Sequence, residues 1–360
     1  MGTVAGCAQP LYAAMMHVSL IVPAPFDTIS GGYEYDRRMV AGLRTFGYTV
    51  AVVELPGRHK QADTAARDAA CATMDQLAPG TRCIVDGLAL PAFAGLEDAL
   101  AATSAIGLIH HPTALETGLG AAERTALQAL ERRLFGHLAR VIVTSEFTGE
   151  TMAQSFGVDP ARIAIVAPGT DNAPRSTGSS SPTCEILSVG SLIPRKGHDV
   201  LLRALARLFD LNWHLTIAGS PDIDPVHALG LRSLVEELGI GQRVRFAGTV
   251  SDAALERLWH RADLFALATH YEGYGMAVAE ALKRGLPVAI TAGGAAAALV
   301  GPEAGVVCQA GDHEQLSKAL RRLIFSNELR REMGEVAWAT GQALPSWADQ
   351  AQRFADAIAV

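Results

Sequence analysis

The sequence is poor in charge and in cysteine, and both shortages narrow what the chain can be. Only 19% of its 360 residues are charged, and 37 acidic residues outnumber 30 basic ones for a formal charge of −7. That balance excludes a broad electrostatic grip on a polyanion, so no nucleic acid is expected as a partner. The five cysteines, Cys7, Cys71, Cys83, Cys184 and Cys308, make no C-x-x-C pair and no cluster with histidine at zinc-ligand spacing. They read as reduced, mostly buried thiols. No apolar run approaches the roughly 18 residues of a spanning helix. A signal peptide is missing too: Val4-Ala5-Gly6-Cys7 has the look of a lipoprotein cleavage box, but the six uncharged residues before Cys7 leave no room for n- and h-regions. A cytoplasmic protein is expected.

What is present is apolar bulk. A hydrophobic content of 49% rules out disorder and disulfide-stapled miniatures, and at about 150 residues per domain the length implies two domains. Residues 1–15 precede the first strand-like run and are expected to form a flexible extension, with Met15 and Met16 as alternative starts. From His17-Val18-Ser19-Leu20-Ile21-Val22-Pro23 the chain reads strand, glycine loop (Ser30-Gly31-Gly32), helix. Further apolar runs at Val50 to Leu55, Arg82 to Val85, Ala105 to His110, Val141 to Thr144 and Ile163 to Val166 alternate with helical stretches. After a small, polar segment they resume at Glu185 to Val189, His214 to Ala218, Val244 to Ala247, Leu264 to Leu267, Pro287 to Ile290 and Val306 to Cys308. Such alternation predicts parallel sheets buried on both faces, hence an α/β fold of two Rossmann-like domains. Their expected spans are 16–170 and 183–344, joined by a linker over 171–182. The last amphipathic stretch, Trp347 to Ile358 within 345–360, either ends the second domain or crosses back to the first.

Ligands of open parallel sheets gather beyond the C-terminal strand ends, so polar groups just after strands carry the functional signal. Tyr271-Glu272-Gly273-Tyr274-Gly275-Met276 follows one such strand, and Glu280 lies eight residues beyond Glu272. If the whole segment is helical, the two carboxylates stand about 12 Å apart along the axis, enough to hold two hydroxyl groups of one long ligand. Gly273 and Gly275 bare the backbone where a helix N-terminus would face a phosphate. As an isolated pair the glutamates also read as two solvated side chains. Arg195 and Lys196, in Pro194-Arg195-Lys196-Gly197 after another strand, supply cations for a diphosphate, or simply a basic surface turn. Lys196 does not complete a P-loop pattern.

These motifs together resemble the retaining glycosyltransferases of family 4, which have the GT-B fold of two Rossmann-like domains facing across a cleft. The resemblance rests on Glu272-x7-Glu280, the Pro-Arg-Lys-Gly turn and Ser30-Gly31-Gly32, and spans about His17 to the final helix. It implies a metal-independent, cofactor-free transfer of a hexose from a nucleotide diphosphate sugar, UDP or GDP type, to an acceptor hydroxyl. It also implies roles. Glu272 would contact the donor sugar and Glu280 the ribose, while the backbone of Gly273, Tyr274, Gly275 and Met276 would line sugar and diphosphate. Lys196 and Arg195 would neutralise the departing diphosphate, and Gly31 and Gly32 would let the first domain's helix come close. His110 would be the active-site histidine, with His111 the runner-up. Many members carry arginine where this chain has Ser191, leaving Arg195 as the compensating cation.

Two rivals share the layout: a non-catalytic nucleotide-sugar binder and an NAD-dependent oxidoreductase, although no Gly-x-Gly-x-x-Gly follows the first strand. Asp222-Ile223-Asp224 matches the metal-binding Asp-x-Asp of the other glycosyltransferase fold, but its loop position favours a solvated turn. The acceptor, a sugar, a lipid-linked sugar or a small molecule, has no readable signature. Tyr33 and Tyr35 either stack on it or pack internally. Arg37, Arg38 and Arg44, with Met39, Val40, Leu43 and Phe46, make an amphipathic helix. It reads as a weak peripheral contact at the inner face of a membrane, or as a solvated face over a buried stripe.

Overall fold

The computed structural model describes residues 16–359; the expected extension 1–15, with Cys7, lies outside them. Each of the twelve apolar runs is a strand. In the first half these are β1 (His17–Pro23), β2 (Thr49–Leu55), β3 (Arg82–Asp86), β4 (Ile106–Ile109), β5 (Arg140–Val143) and β6 (Ile163–Ile165). In the second they are β7 (Cys184–Val189), β8 (Trp213–Ala218), β9 (Val244–Gly248), β10 (Leu264–Leu267), β11 (Val288–Thr291) and β12 (Gly305–Cys308). The helices of the first half are α1 (Gly31–Thr45), α2 (Thr64–Gln76), α3 (Glu97–Ala102), α4 (Ala121–Gly136) and α5 (Glu146–Phe156). Then follow α6 (His198–Ala206), α7 (Pro225–Glu237), α8 (Asp252–Arg261), α9 (Met276–Lys283), α10 (His313–Phe325), α11 (Asn327–Gln342) and α12 (Trp347–Ile358).

The strands form two six-stranded sheets, ordered β2-β1-β3-β4-β5-β6 and β12-β11-β10-β7-β8-β9, with every pairing parallel. Strand order reverses beside β1 and β3 in the first sheet and beside β7 and β10 in the second. Those are the points where a crevice opens for ligand. Alternate residues of each strand feed opposite cores: Val18, Leu20 and Val22 enter one cluster and Ile21 another, while Leu264 and Ala266 are separated from Phe265 and Leu267. Helices therefore cover both faces of both sheets, the α/β arrangement of the GT-B fold.

The final helix α12 lies on the first half. Its Ala351, Phe354, Ala355 and Ile358 join the β1 core, and it runs so close to α1 that a Cβ on Gly42 would sit 2.3 Å from that of Ala351. A capping box of Ser346 and Asp349 starts it. The segment 171–182 has no regular structure, yet it is strapped to the second half rather than hanging between the two. Ser176 Oγ donates to the carbonyls of His260 and Ala262, and Ser179 bonds the Asp263 carboxylate through its N–H and hydroxyl. Its small hydroxyl side chains, which read as linker composition, serve here as backbone ties.

Buried Met39, Val40 and Leu43 turn the apolar stripe of α1 into the core beneath α12, so that stripe is not available to a membrane. Its arginines are occupied as well: Arg37 bonds the carbonyls of Phe26 and Thr28, Arg38 pairs with Glu34 and Asp171, and Arg44 bonds the Val50 carbonyl. Tyr35 is buried with its hydroxyl on the Val166 carbonyl, and the Tyr33 hydroxyl donates to Pro23. Both tyrosines pack internally. Cys83, Cys184 and Cys308 are buried free thiols and Cys71 is an exposed one. Among the described residues no helix is long and apolar enough to cross a membrane.

Candidate active site

At the switch point of the second sheet, β7 is followed by Gly190, whose bare Cα lets the methylenes of Lys196 pass; a Cβ there would stand 3.1 Å from Lys196 Cδ. Pro194–Lys196 forms one 3-10 turn closed by Gly197 at φ +60, and a Cβ on Gly197 would fall 2.0 Å from the Ala268 carbonyl oxygen. Glycine is thus required twice over, by backbone conformation and by the neighbouring β10. The turn aims Lys196 at Glu272: Nζ donates to Oε1 over 2.6 Å, Thr269 Oγ1 donates to the same oxygen at 3.0 Å, and Arg195 Nη1 lies 3.8 Å away. Burial alone would raise the Glu272 carboxyl. Lys196 and Arg195 beside it outweigh burial and hold it below the usual glutamate range. Its backbone is braced by Gly293 and Gly294, for Glu272 N donates to the Gly293 carbonyl and Ala295 N to the Glu272 carbonyl.

The segment from Glu272 to Glu280 is not helical throughout; its helix starts at the glycines, where the bare backbone of Gly273 and Gly275 placed a helix N-terminus. Gly275 adopts φ +105 and packs on Ala296, so α9 begins only at Met276. The break serves the site. Val278 N is bonded to the Gly275 carbonyl, while the Met276 and Ala277 amides belong to the opening turn whose N–H groups have no intrahelical partner. Glu280 lies on α9 half-buried, its carboxyl pushed up to about 7 by burial, with Asp171, Glu34 and Glu256 adding to the rise and Arg284 opposing it. Tyr274 precedes the helix, and burial pushes its phenol up to about 12.

The first half meets this region through β4 and α1. Ser30 caps α1 by accepting from Tyr33 N; a Cβ on Gly31 would stand 3.6 Å from Met276 Sδ, and one on Gly32 3.2 Å from His110 Cδ2. The two glycines therefore bring α1 against the second half and against the histidine ring. A Cβ on Gly273 would collide with the His110 carbonyl oxygen at 2.1 Å, and the hydroxyls of Thr144 and Thr148 donate to the Gly273 carbonyl at 3.3 Å each. These are close joints between the halves. His110 Nε2 faces Asp36 Oδ1 at 2.9 Å and Asp86 Oδ2 at 3.5 Å, and its pKa is raised: burial would lower it, but the two carboxylates outweigh burial. Asp86 is pushed up to about 7 by burial and by Asp36.

His111 turns away from the glycine loop to Glu116, with Nε2 against Oε1, and its ring packs on Tyr271. Burial and the charge of Arg195 keep it below the usual histidine value. Glu116 also reaches across the cleft to Arg195 Nε at 3.4 Å, while Arg195 Nη1 donates to the Tyr271 carbonyl at 2.8 Å. Burial opposes the Glu116 charge, but His111, Arg195 and Lys60 hold its carboxyl at about 2. Arg195 is thus engaged by three partners of the protein itself, whereas Lys196 has a single carboxylate.

Among the described residues, the one constellation with metal-ligand types within reach of one another is Asp36, Asp86 and His110. Its geometry is that of an imidazole N–H shared between carboxylates. Asp222 bonds Ser220 and Asp224 caps α7 through His227 N, so the Asp-x-Asp pair serves a turn and a helix start.

Across the line where the halves meet, Gly31 faces Met276, the His110 carbonyl faces Gly273 and Glu116 faces Arg195, with Gly32 against the His110 ring, the Lys196–Glu272 pair beside Arg195, and Tyr274, Gly275 and Glu280 following on the same segment. Sequence reading missed Asp36, Asp86, Glu116, Thr144, Thr148 and the Gly293-Gly294 brace. Asp86 ends an apolar strand and was open to the strand-end rule that found Lys196. Asp36 and Glu116 carry no local signal.

Known proteins agree with this architecture. D-inositol 3-phosphate glycosyltransferase of Corynebacterium glutamicum is 29% identical over 66% of this chain and 62% of its own length. The enzyme of that name from Mycolicibacterium gilvum is 34% identical over 46% and 39%. The chain thus spans less than two thirds of the curated relatives it matches. Sucrose-phosphate synthase from Thermosynechococcus elongatus superposes with a TM-score of 0.79 at 19% identity, covering 95% of this chain and 98% of that one. Anabaena HepE, solved with UDP and glucose, gives 0.74 at 15% identity over 96% and 99%. The family model for glycosyl transferase 4-like domains matches residues 4–169, and that for glycosyl transferases group 1 matches residues 170–338. Matched over residues 4–338, the chain belongs to the family-4 type of GT-B glycosyltransferases.

Proposed function

We propose that the protein moves a hexose from a nucleotide diphosphate sugar, with UDP as the first candidate base, to an acceptor hydroxyl, with retention at the anomeric carbon and without a metal ion. The observation that carries this reading is the Lys196–Glu272 pair at the switch point of the second sheet, opposite His110 at the end of β4. A diphosphate entering between Gly190 and α9 meets the Lys196 ammonium and the opening amides of α9. One full charge contact of this kind is worth about 4 kcal/mol at 4 Å and an effective dielectric near 20, before desolvation. Glu272, released from Lys196 by that exchange, accepts from the sugar's hydroxyls, and Glu280, four residues into α9, accepts from the ribose.

In the reaction the bond from C1 to the diphosphate oxygen breaks and a bond from C1 to the acceptor oxygen forms on the same face. The acceptor's proton passes to the departing phosphate oxygen, so no protein base is consumed. Lys196 and the α9 N-terminus stabilise the charge that develops on the leaving group. The relatives' name supplies the first acceptor to try, an inositol phosphate. The test is incubation with UDP-, GDP- and ADP-linked hexoses plus that acceptor in EDTA, with the anomeric configuration of the product read by NMR. Transfer with retention from one donor class supports the reading; free nucleotide without glycoside, or no turnover of any donor, contradicts it.

A further inference from the structure

We propose that Asp36 is a positioning residue for His110: it turns Nε2 into the first half of the molecule and leaves Nδ1, carrying a proton, as the ring's contact with the ligand in the cleft. The ring is held on three sides. Nε2 lies 2.9 Å from Asp36 Oδ1 and 3.5 Å from Asp86 Oδ2, Tyr35 packs edge-on at 5.2 Å between centroids, and Gly32 closes the third flank. Among the described residues Nδ1 has no hydrogen-bond partner, and it is not one of the buried, unpartnered atoms, so it is open to the cleft. The His110 carbonyl touches Gly273 of the other half, which fixes the distance between this ring and the residues before α9.

The charges around the ring explain why Nδ1 keeps its proton. Asp36 and Asp86 are 1% and 3% exposed, and among the described residues no lysine or arginine pairs with either. The basic residues of α1 are directed elsewhere, Arg37 to the Phe26 and Thr28 carbonyls and Arg38 to Glu34 and Asp171. The other titratable groups nearby are Tyr33 and Tyr35 on α1, Glu54 on β2 and His111 beside His110. Two buried carboxylates with one imidazole reach neutrality when the imidazole is charged and one carboxyl is protonated. Asp36 within hydrogen-bond distance of Nε2 and Asp86 beside it favour the charged ring and outweigh the cost of burying it. A charged ring held by Nε2 presents Nδ1–H as a donor to an oxygen of the sugar or acceptor, and gives up no proton during transfer.

The ligand in this inference rests on the transferase reading, but the ring's state is measurable without turnover. In the full chain labelled with carbon-13 at histidine, and with His110→Asn to assign the signal, His110 is expected to titrate above 6.5. Asp36→Asn should lower its midpoint by about one unit or more, and kcat should fall about 10- to 100-fold with the donor KM unchanged. Asp86→Asn should lower the midpoint by less, since Asp86 is farther away. A wild-type midpoint at or below 6.5, a midpoint unmoved by Asp36→Asn, or a His110 signal shifted by one equivalent of zinc or manganese would each overturn the proposal. The wild-type titration decides even if both variants fail to fold. The shifted midpoint together with no transfer from any sugar nucleotide would sink the functional reading and leave the positioning role standing.

Discussion

Glu272→Gln is the substitution whose consequences the structure determines most fully. It keeps the side chain's shape and one acceptor oxygen but removes the charge that faces Lys196 at 2.6 Å and Arg195 at 3.8 Å. Side-chain exposure is 10% for Glu272 and 16% for Lys196, so water replaces little of what is lost. Neutralising one partner of a buried pair costs about 3 to 5 kcal/mol; because Arg195 keeps Glu116, the lower end applies. For a chain of this size that lowers Tm by about 4 °C. A nucleotide diphosphate restores the missing negative charge, so saturating UDP should raise the Tm of the variant more than that of the parent, while transfer falls about 100-fold or more. Thermal unfolding of both proteins with and without UDP, together with a transfer assay, reads all three quantities. A variant that melts with the parent, gains no extra stability from UDP and still transfers would refute the reasoning.

Other positions follow from contacts already described. Gly273→Ala places a methyl 2.1 Å from the His110 carbonyl oxygen, so the halves must part locally and kcat should fall about 100-fold in steady-state kinetics, with the secondary structure intact by circular dichroism. Gly42→Ala meets Ala351 at 2.3 Å and should cost about 1 to 3 kcal/mol in urea unfolding by lifting α12 from α1. Asp86 has a folded pKa of about 7 against an ordinary 3.8, so the folded state binds its proton more tightly than the unfolded chain does. Its contribution is favourable below about pH 4 and is lost as pH rises through 7. Stability of Asp86→Asn relative to the parent should therefore climb across that window, and a difference independent of pH would contradict the shift.

Continuous apolar runs made the two sheets legible, because a strand buried on both faces must be apolar at nearly every position, as in Ile106–Ile109 and Leu264–Leu267. Lys196 and Glu272 were legible because each follows such a run within a few residues. Asp36 was not: it lies on the buried face of α1, where a charged residue reads as an interruption until Asp86 and His110 arrive from two other strand ends. Glu116 likewise acquires meaning only through Arg195, from the opposite half of the chain. The start of α9 was legible in Gly273 and Gly275, whose bare backbone marks a helix N-terminus, and the packing of Gly275 against Ala296 fixes it at Met276. The segment 171–182 has linker composition, but its hydroxyls find carbonyls on the second half that no composition reveals.

The central claim is that a nucleotide diphosphate sugar binds beside Lys196, between the two switch points. Calorimetric titration of UDP-glucose into the parent protein and into Lys196→Ala, both in EDTA, tests it most directly. The account predicts binding to the parent and at least about tenfold weaker binding to the variant, one lost charge contact being worth 1.4 kcal/mol or more. Equal affinity for the two proteins, or binding of NAD with none of UDP-, GDP- or ADP-linked sugars, would contradict it.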